Sequence, residues 1–326
     1  MRHTIIQERQ LVVIIERRWS MTDLLEFTSD PDEAPQQIST LICAVGGGPF
    51  DAGGIAGSIA QSFGEGELIA SFDPDLIFDF RSERPMITFE NGAMTRMVDP
   101  RLDVFVVEDI EGEKLLILRG NEPDLRWHSL AEGVLQLATQ FGVEKFYAIG
   151  GLPSGIPHTR PVDLLIRGYR RTHPEQDATY IQSVNFSEFL VYTLGTSGID
   201  TSSVLARVPF YLVNGVYAAA AGAVATFVAD DSGLALPVGD LERVAQTESD
   251  QIEAVYGEQE DFRSLVASLE DDYDTEGPNS GFILPNDELP EIPTADEIGE
   301  AAEKYLARRT DRPQRKRGRH ARRPEE

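Results

Sequence analysis

Apolar residues along this chain recur with two periods. Short, nearly continuous apolar runs predict buried strands. They are Ile38–Val45, Leu68–Phe72, Asp103–Val107, Lys114–Leu118, Lys145–Ile149, Ala178–Val184 and Val204–Val208. The first runs into Gly46-Gly47-Gly48-Pro49 and the fifth into Gly150-Gly151, so both end in tight loops. Leu76–Phe80 and Met86–Phe89 flank Arg81-Ser82-Glu83-Arg84-Pro85 and predict a hairpin with a long turn.

The second period is helical. Trp127, Leu130, Val134, Leu137, Ala138 and Phe141 share one face, and Gly142 stops the helix. Small and apolar residues over Gly53–Phe63 predict a close-packed helix, and the Ala-rich Val216–Val228 predicts a buried one. Leu241–Tyr256 and Phe262–Leu269 read as exposed amphipathic helices. Thr294 with Glu297 forms a capping box for a last helix to about Ala307. Strands alternating with helices imply an α/β core. The expected division is a loose extension over 1–20, the core over 21–239, an acidic helical extension over 240–307 with a linker at 277–293, and a disordered basic tail over 308–326.

Charge sharpens that division. The chain has 326 residues, 41% of them hydrophobic, and a formal charge of −26. The apolar content excludes a wholly disordered acidic chain. Between Ala229 and Glu300 stand 21 acidic residues against two basic ones, whereas from Arg308 onward nine are basic and three acidic. The acidic body argues against nucleic-acid binding, because phosphates would be repelled. The tail stays undecided between a polyanion-binding arm and one folding back on the acidic helices. No apolar run approaches the ~20 residues of a membrane span. Leu11–Ile15 is too short and too flanked by charge for a signal peptide, so the expectation is a cytoplasmic protein. A single cysteine, Cys43, excludes a disulfide framework.

Three loops carry candidate chemistry. In Gly46–Gly57, backbone N–H groups of Gly47, Gly48, Gly53 and Gly54 are candidates to hold an anion at a helix start. The spacing matches neither a Walker loop nor a dinucleotide fingerprint, and tight packing of the helix on the sheet is the favoured account of the glycines. In Gly150–Pro161, His158 and Arg160 offer an imidazole and an anion fork, or three prolines simply brace the loop. In Arg119-Gly120-Asn121-Glu122-Pro123, Glu122 reads either as a base or as a carboxylate facing a helix N-terminus. Ser154 lacks a nucleophile elbow, and none of the five histidines has metal-ligand spacing. No cofactor or metal is expected.

These loops, with Pro209-Phe210-Tyr211 and Leu236-Pro237-Val238-Gly239-Asp240-Leu241-Glu242, occur in an order that resembles the proteasome assembly chaperone family of the second type, in its actinobacterial branch. The resemblance spans about Leu24 to Ala307. It implies a three-layer α/β sandwich resembling the phosphorylase/hydrolase-like fold with a C-terminal helical extension. It also implies a homo-oligomer, a trimer among the options, with proteasome subunits as candidate partners. Some members carry a carboxylate–amine ligase label, yet between Met21 and Tyr256 only Lys114 and Lys145 could serve as phosphate-contacting lysines. The last residues, Arg323-Pro324-Glu325-Glu326, lack the hydrophobic–Tyr–any-residue ending used to dock on proteasome rings, so another surface is expected to bind. Two readings follow: a non-enzymatic assembly factor, or a hydrolase or transferase acting on an anionic substrate through Glu122, His158 and Arg160.

Overall fold

Eight strands form the main sheet among the described residues. In spatial order they are β1 (Leu25–Phe27), β3 (Glu67–Phe72), β6 (Leu102–Glu108), β7 (Lys114–Asn121), β2 (Thr40–Gly46), β8 (Lys145–Ser154), β10 (Asp200–Pro209) and β9 (Leu164–Arg167). The computed structural model describes residues 24–28, 37–170, 181–257 and 259–277, all within the unit Met1–Phe282. β7, β2, β8 and β10 pair in parallel, and the pairs toward both edges are antiparallel.

The parallel strands read as continuous apolar runs because both faces are covered. On one face, Leu41, Cys43, Leu116, Leu118 and Phe146 meet α3 (Trp127–Phe141) and α4 (Phe186–Thr196). On the other, Ile42, Ala44, Ile117, Tyr147 and Val204 meet α1 (Ile55–Ser62) and α5 (Ala218–Ser232). α6 (Val238–Tyr256) brings Leu241 to the second core and leaves most of its surface to solvent. The result is the expected α/β sandwich of three layers. α3 ends as its sequence requires: Gly142 takes the left-handed conformation at φ 72° and closes the helix onto the Ala138 and Thr139 carbonyls.

Two glycine clusters meet in one backbone contact. The loop leaving β2 passes over the end of β8, where the Gly151 N–H donates to the Phe50 carbonyl at 2.7 Å. A β-carbon at Gly150 would overlap the Phe50 carbonyl oxygen, and one at Gly151 would overlap that of Ala52. Gly53 and Gly54 then take φ of 73° and 54° to start α1, a conformation costly for other residues.

Several expectations need correction. Leu76–Phe80 is not a strand: Asp73 caps a single helical turn, α2 (Pro74–Ile77), whose start Pro74 favours. The hairpin instead joins β4 (Met86–Glu90) to β5 (Ala93–Val98) across Asn91-Gly92. Of Ala178–Val184, residues 181–184 carry no strand and the rest lie outside the described residues. The N-terminal extension, nearly all of the linker, the capping-boxed helix and the basic tail also lie outside them. The apolar pattern predicts no element at β1, β5, β9 or α4; α4 carries a signal in its capping residue Asn185, whose side chain accepts from the Glu188 N–H at 2.8 Å.

The loop-on-strand contact predicts a sharp asymmetry between glycines. Gly150→Ala should lower the unfolding free energy by about 1–3 kcal/mol in urea denaturation, because backbone must move. Gly155→Ala, where a β-carbon meets open space, should change it by less than about 0.5 kcal/mol.

Candidate functional site

β2 and β7 are neighbours, yet the helices that follow them pack on opposite faces of the sheet. Such a reversal leaves a crevice beyond the strand ends, the usual place for a ligand in an open α/β sheet. A cavity of about 330 Å³ occupies it, lined by Gly46, Gly47, Ser82, Glu83, Asn121, Glu122, Pro123, Asp124 and Trp127.

Glu122 belongs to this cavity through both its backbone and its side chain. Its N–H donates to the Gly46 carbonyl at 3.0 Å, which joins the loops after β2 and β7. Its carboxylate accepts the Phe186 N–H, the first of α4, at 2.7 Å. It is therefore a carboxylate at a helix N-terminus, although the helix is α4 and not the one that follows it in sequence. Burial pushes its carboxyl upward; the Phe186 N–H opposes this and the nearby Asp124 adds to it. Gly48 is a glycine where its β-carbon would run into this carboxylate.

The remaining walls are equally committed. The Asn121 amide donates to Glu83 at 2.8 Å, and Asp124 accepts the Asp79 N–H at 2.8 Å. The Trp127 indole donates to the Pro123 carbonyl at 2.6 Å, while its ring packs on Phe186 and Phe189. Glu83, Glu122 and Asp124 make the cavity acidic, and among the described residues no basic one lines it. An anionic substrate would be repelled here.

Three of the four N–H donors of the expected anion cradle are occupied. Gly47 N–H donates to the Asp51 carboxylate at 3.1 Å, Gly53 N–H to the Val213 carbonyl at 3.2 Å, and Gly54 N–H to the Asp51 carbonyl at 3.3 Å. Asp51 also accepts the Ala56 N–H at the start of α1, at 3.3 Å. The chain's own carboxylate takes the place that a bound anion would occupy. Burial pushes the Asp51 carboxyl upward against these two N–H donors. Of the four glycines, then, three serve internal bonds and Gly48 serves close approach to Glu122.

His158 and Arg160 are not brought to this cavity. Arg160 instead fastens α7 (Glu260–Glu276) to the loop after β8. Its guanidinium bonds Asp274 at 2.9 and 2.6 Å and Glu270 at 3.0 Å. Thr159 also donates to Glu270. The hydrogen bonds to Asp274 raise the guanidinium's affinity for its proton and hold the Asp274 carboxyl low. His158 lies beside them, its Nδ1 2.8 Å from the Tyr211 hydroxyl and its ring near Phe262 of α7. Burial pushes its imidazole downward, with Glu253 and Glu270 opposing. Glu122, His158 and Arg160 thus share no position for a reacting atom. Among the described residues, no three His, Cys, Asp or Glu side chains are placed to hold a metal, and no helix is long and apolar enough to cross a membrane.

The profile of the PAC2 family matches residues 52–256. A Mycobacterium tuberculosis protein of unknown function has a similar crystal structure, with a TM-score of 0.73 and 29% identity over 79% of this chain and 91% of that one. A Corynebacterium glutamicum protein of unknown function superposes with a TM-score of 0.70 at 30% identity, over 78% and 97%. A proteasome-assembly chaperone homologue of Mycobacterium tuberculosis shares the fold, with a TM-score of 0.63 and 22% identity over 71% and 99%. No curated protein matches the sequence.

Substitutions at Glu122 and Arg160 test these assignments. Glu122→Ala should cost about 1–3 kcal/mol by orphaning the Phe186 N–H. Glu122→Gln keeps the acceptor and removes a charge whose carboxyl is raised in the folded state, so it should be neutral or stabilising at pH 7. That advantage should shrink as pH falls into the carboxylate range and the wild-type group takes up its proton; thermal melts across pH read both. Arg160→Ala should speed amide hydrogen exchange over Glu260–Glu276 and leave β8 unchanged. Asp274 is lowered in the folded state, so its contribution is present above its ordinary value of 3.8 and disappears as pH falls through the lower folded value. Exchange of α7 in the wild type should rise over that acidic interval.

Proposed function

The chain belongs to the PAC2 family, and on that footing we propose that it is a non-enzymatic, cytoplasmic assembly factor that works as a homo-oligomer, with proteasome subunits as its candidate partners. The observation that carries this reading is the β4–β5 hairpin. Every residue of both strands is exposed. Ile87 pairs with Met97 and Phe89 with Met94, so these four apolar side chains share one face. Phe89 is 59%, Met94 69% and Met97 61% exposed. A lone two-stranded hairpin is marginal in water, and contiguous exposed apolar surface marks a protein-binding site.

In this reading the hairpin's apolar face is covered by a second copy of the chain. Methionine suits such a surface, because its flexible thioether fills irregular gaps. The partner class follows the name of the Mycobacterium tuberculosis homologue, with which the likeness is one of fold. The separation of Glu122 from His158 and Arg160, and the acidic cavity wall, both speak against the anionic-substrate alternative.

Sedimentation velocity tests the oligomer. The wild type should sediment as an oligomer, and Ile87→Ser/Phe89→Ser/Met97→Ser should shift it to monomer with an unchanged circular dichroism spectrum, since burial of each side chain is worth about 2 kcal/mol. A monomeric wild type, or an oligomeric variant, overturns the hairpin's role. Recovery of proteasome subunits with the tagged chain from native lysate at physiological salt supports the partner assignment; their absence rejects it.

A further inference from the structure

A second cavity, about 440 Å³, is lined by residues of α1, β2, β6 and β7. Its charges are unlike those of the acidic cavity. Asp103 of β6 and Arg119 of β7 are direct cross-strand partners, a placement that ordinarily yields an ion pair. Among the described residues they do not form one. The Arg119 guanidinium lies instead over the Phe105 ring, 3.8 Å from its centroid, with Nη1 donating to the Gly64 carbonyl at 3.4 Å. Arg101, also lining the cavity, is exposed and makes no side-chain ion pair among the described residues. Asp103 is buried. Besides Asp51, the cavity thus holds two guanidinium groups and the Asp103 carboxylate, which do not neutralise one another by contact among the described residues. Beside them, Gly57 and Ala60 of α1 and the Phe105 ring leave room for an apolar group.

Separated charges of both signs around an apolar wall complement a small zwitterion. We propose that this cavity binds a free α-amino acid with an apolar side chain, its carboxylate held by Arg101 and Arg119, its ammonium by Asp103, and its side chain against Phe105 and Ala60. Asp51, although it also lines the cavity, is committed to the Gly47 and Ala56 N–H groups and is not needed. This inference is independent of the hairpin's role.

Titration calorimetry on the full chain tests it, with L-leucine and L-phenylalanine as probes. The expected result is saturable binding of at least one of them. Affinity for that amino acid should fall about ten-fold or more when its carboxylate is amidated or its amine acetylated, and by a similar factor in Arg101→Ala and Asp103→Asn. Arg101 is exposed, so Arg101→Ala should keep the wild-type melting temperature and decides the matter even if Asp103→Asn fails to fold. No binding by either probe, equal affinity for the blocked derivatives, or undiminished binding to a folded Arg101→Ala overturns the proposal.

Discussion

The loop that leaves β2 lies backbone to backbone on the end of β8, with Gly151 donating to the Phe50 carbonyl at 2.7 Å and no side chain between them. Much of the central architecture depends on that approach. It sets where α1 begins, because the chain must reverse through two left-handed glycines at once. It also positions Asp51, whose carboxylate then ties Gly47 to the first turn of α1. Gly53 in turn exchanges hydrogen bonds with Val213 and Tyr217, which docks the segment before α5 on the same loop. A β-carbon at Gly150 or Gly151 would separate these parts, so both glycine clusters answer one steric demand.

Several charges in this protein serve attachment. Glu122 and Asp51 are partly buried carboxylates, and each accepts backbone N–H groups at a helix start. That use satisfies donors that a helix cannot satisfy internally. Arg160 does the same between elements: it joins the loop after β8 to α7 through two carboxylates. The acidic helices are therefore not simply a solvated appendage, since at least one turn of α7 is held to the body by a specific cation.

Much of the α/β core was legible from apolar periodicity, because parallel strands buried on both faces leave uninterrupted runs and α3 keeps its stripe. The errors fall where local pattern and tertiary setting disagree. Leu76–Phe80 has the composition of a strand, but Asp73 and Pro74 begin a helical turn there. α4 is short of polar residues because Phe186, Leu190 and Leu194 face the core, so its periodicity is shallow and only Asn185 with Glu188 marks its start. The hairpin falls one segment later than the pattern predicts, because Asn91-Gly92, and not the charged Arg81–Pro85, makes the turn.

From the residues alone follow the alternation of strands and helices, the glycine loops at strand ends and the concentration of acid beyond residue 229, since each depends only on neighbours in sequence. Which side chains meet depends on folding. Glu122 and Phe186 are 64 residues apart and Arg160 and Asp274 are 114 apart; no local pattern encodes those pairings. The folded sheet commits three of the four N–H groups of the suspected anion cradle to internal hydrogen bonds and divides three candidate catalytic residues between a cavity wall and a helix latch. It also leaves an apolar hairpin facing solvent. Periodicity records which residues prefer to be buried, whereas only the arrangement of the elements decides which of them remain uncovered and which charges come together.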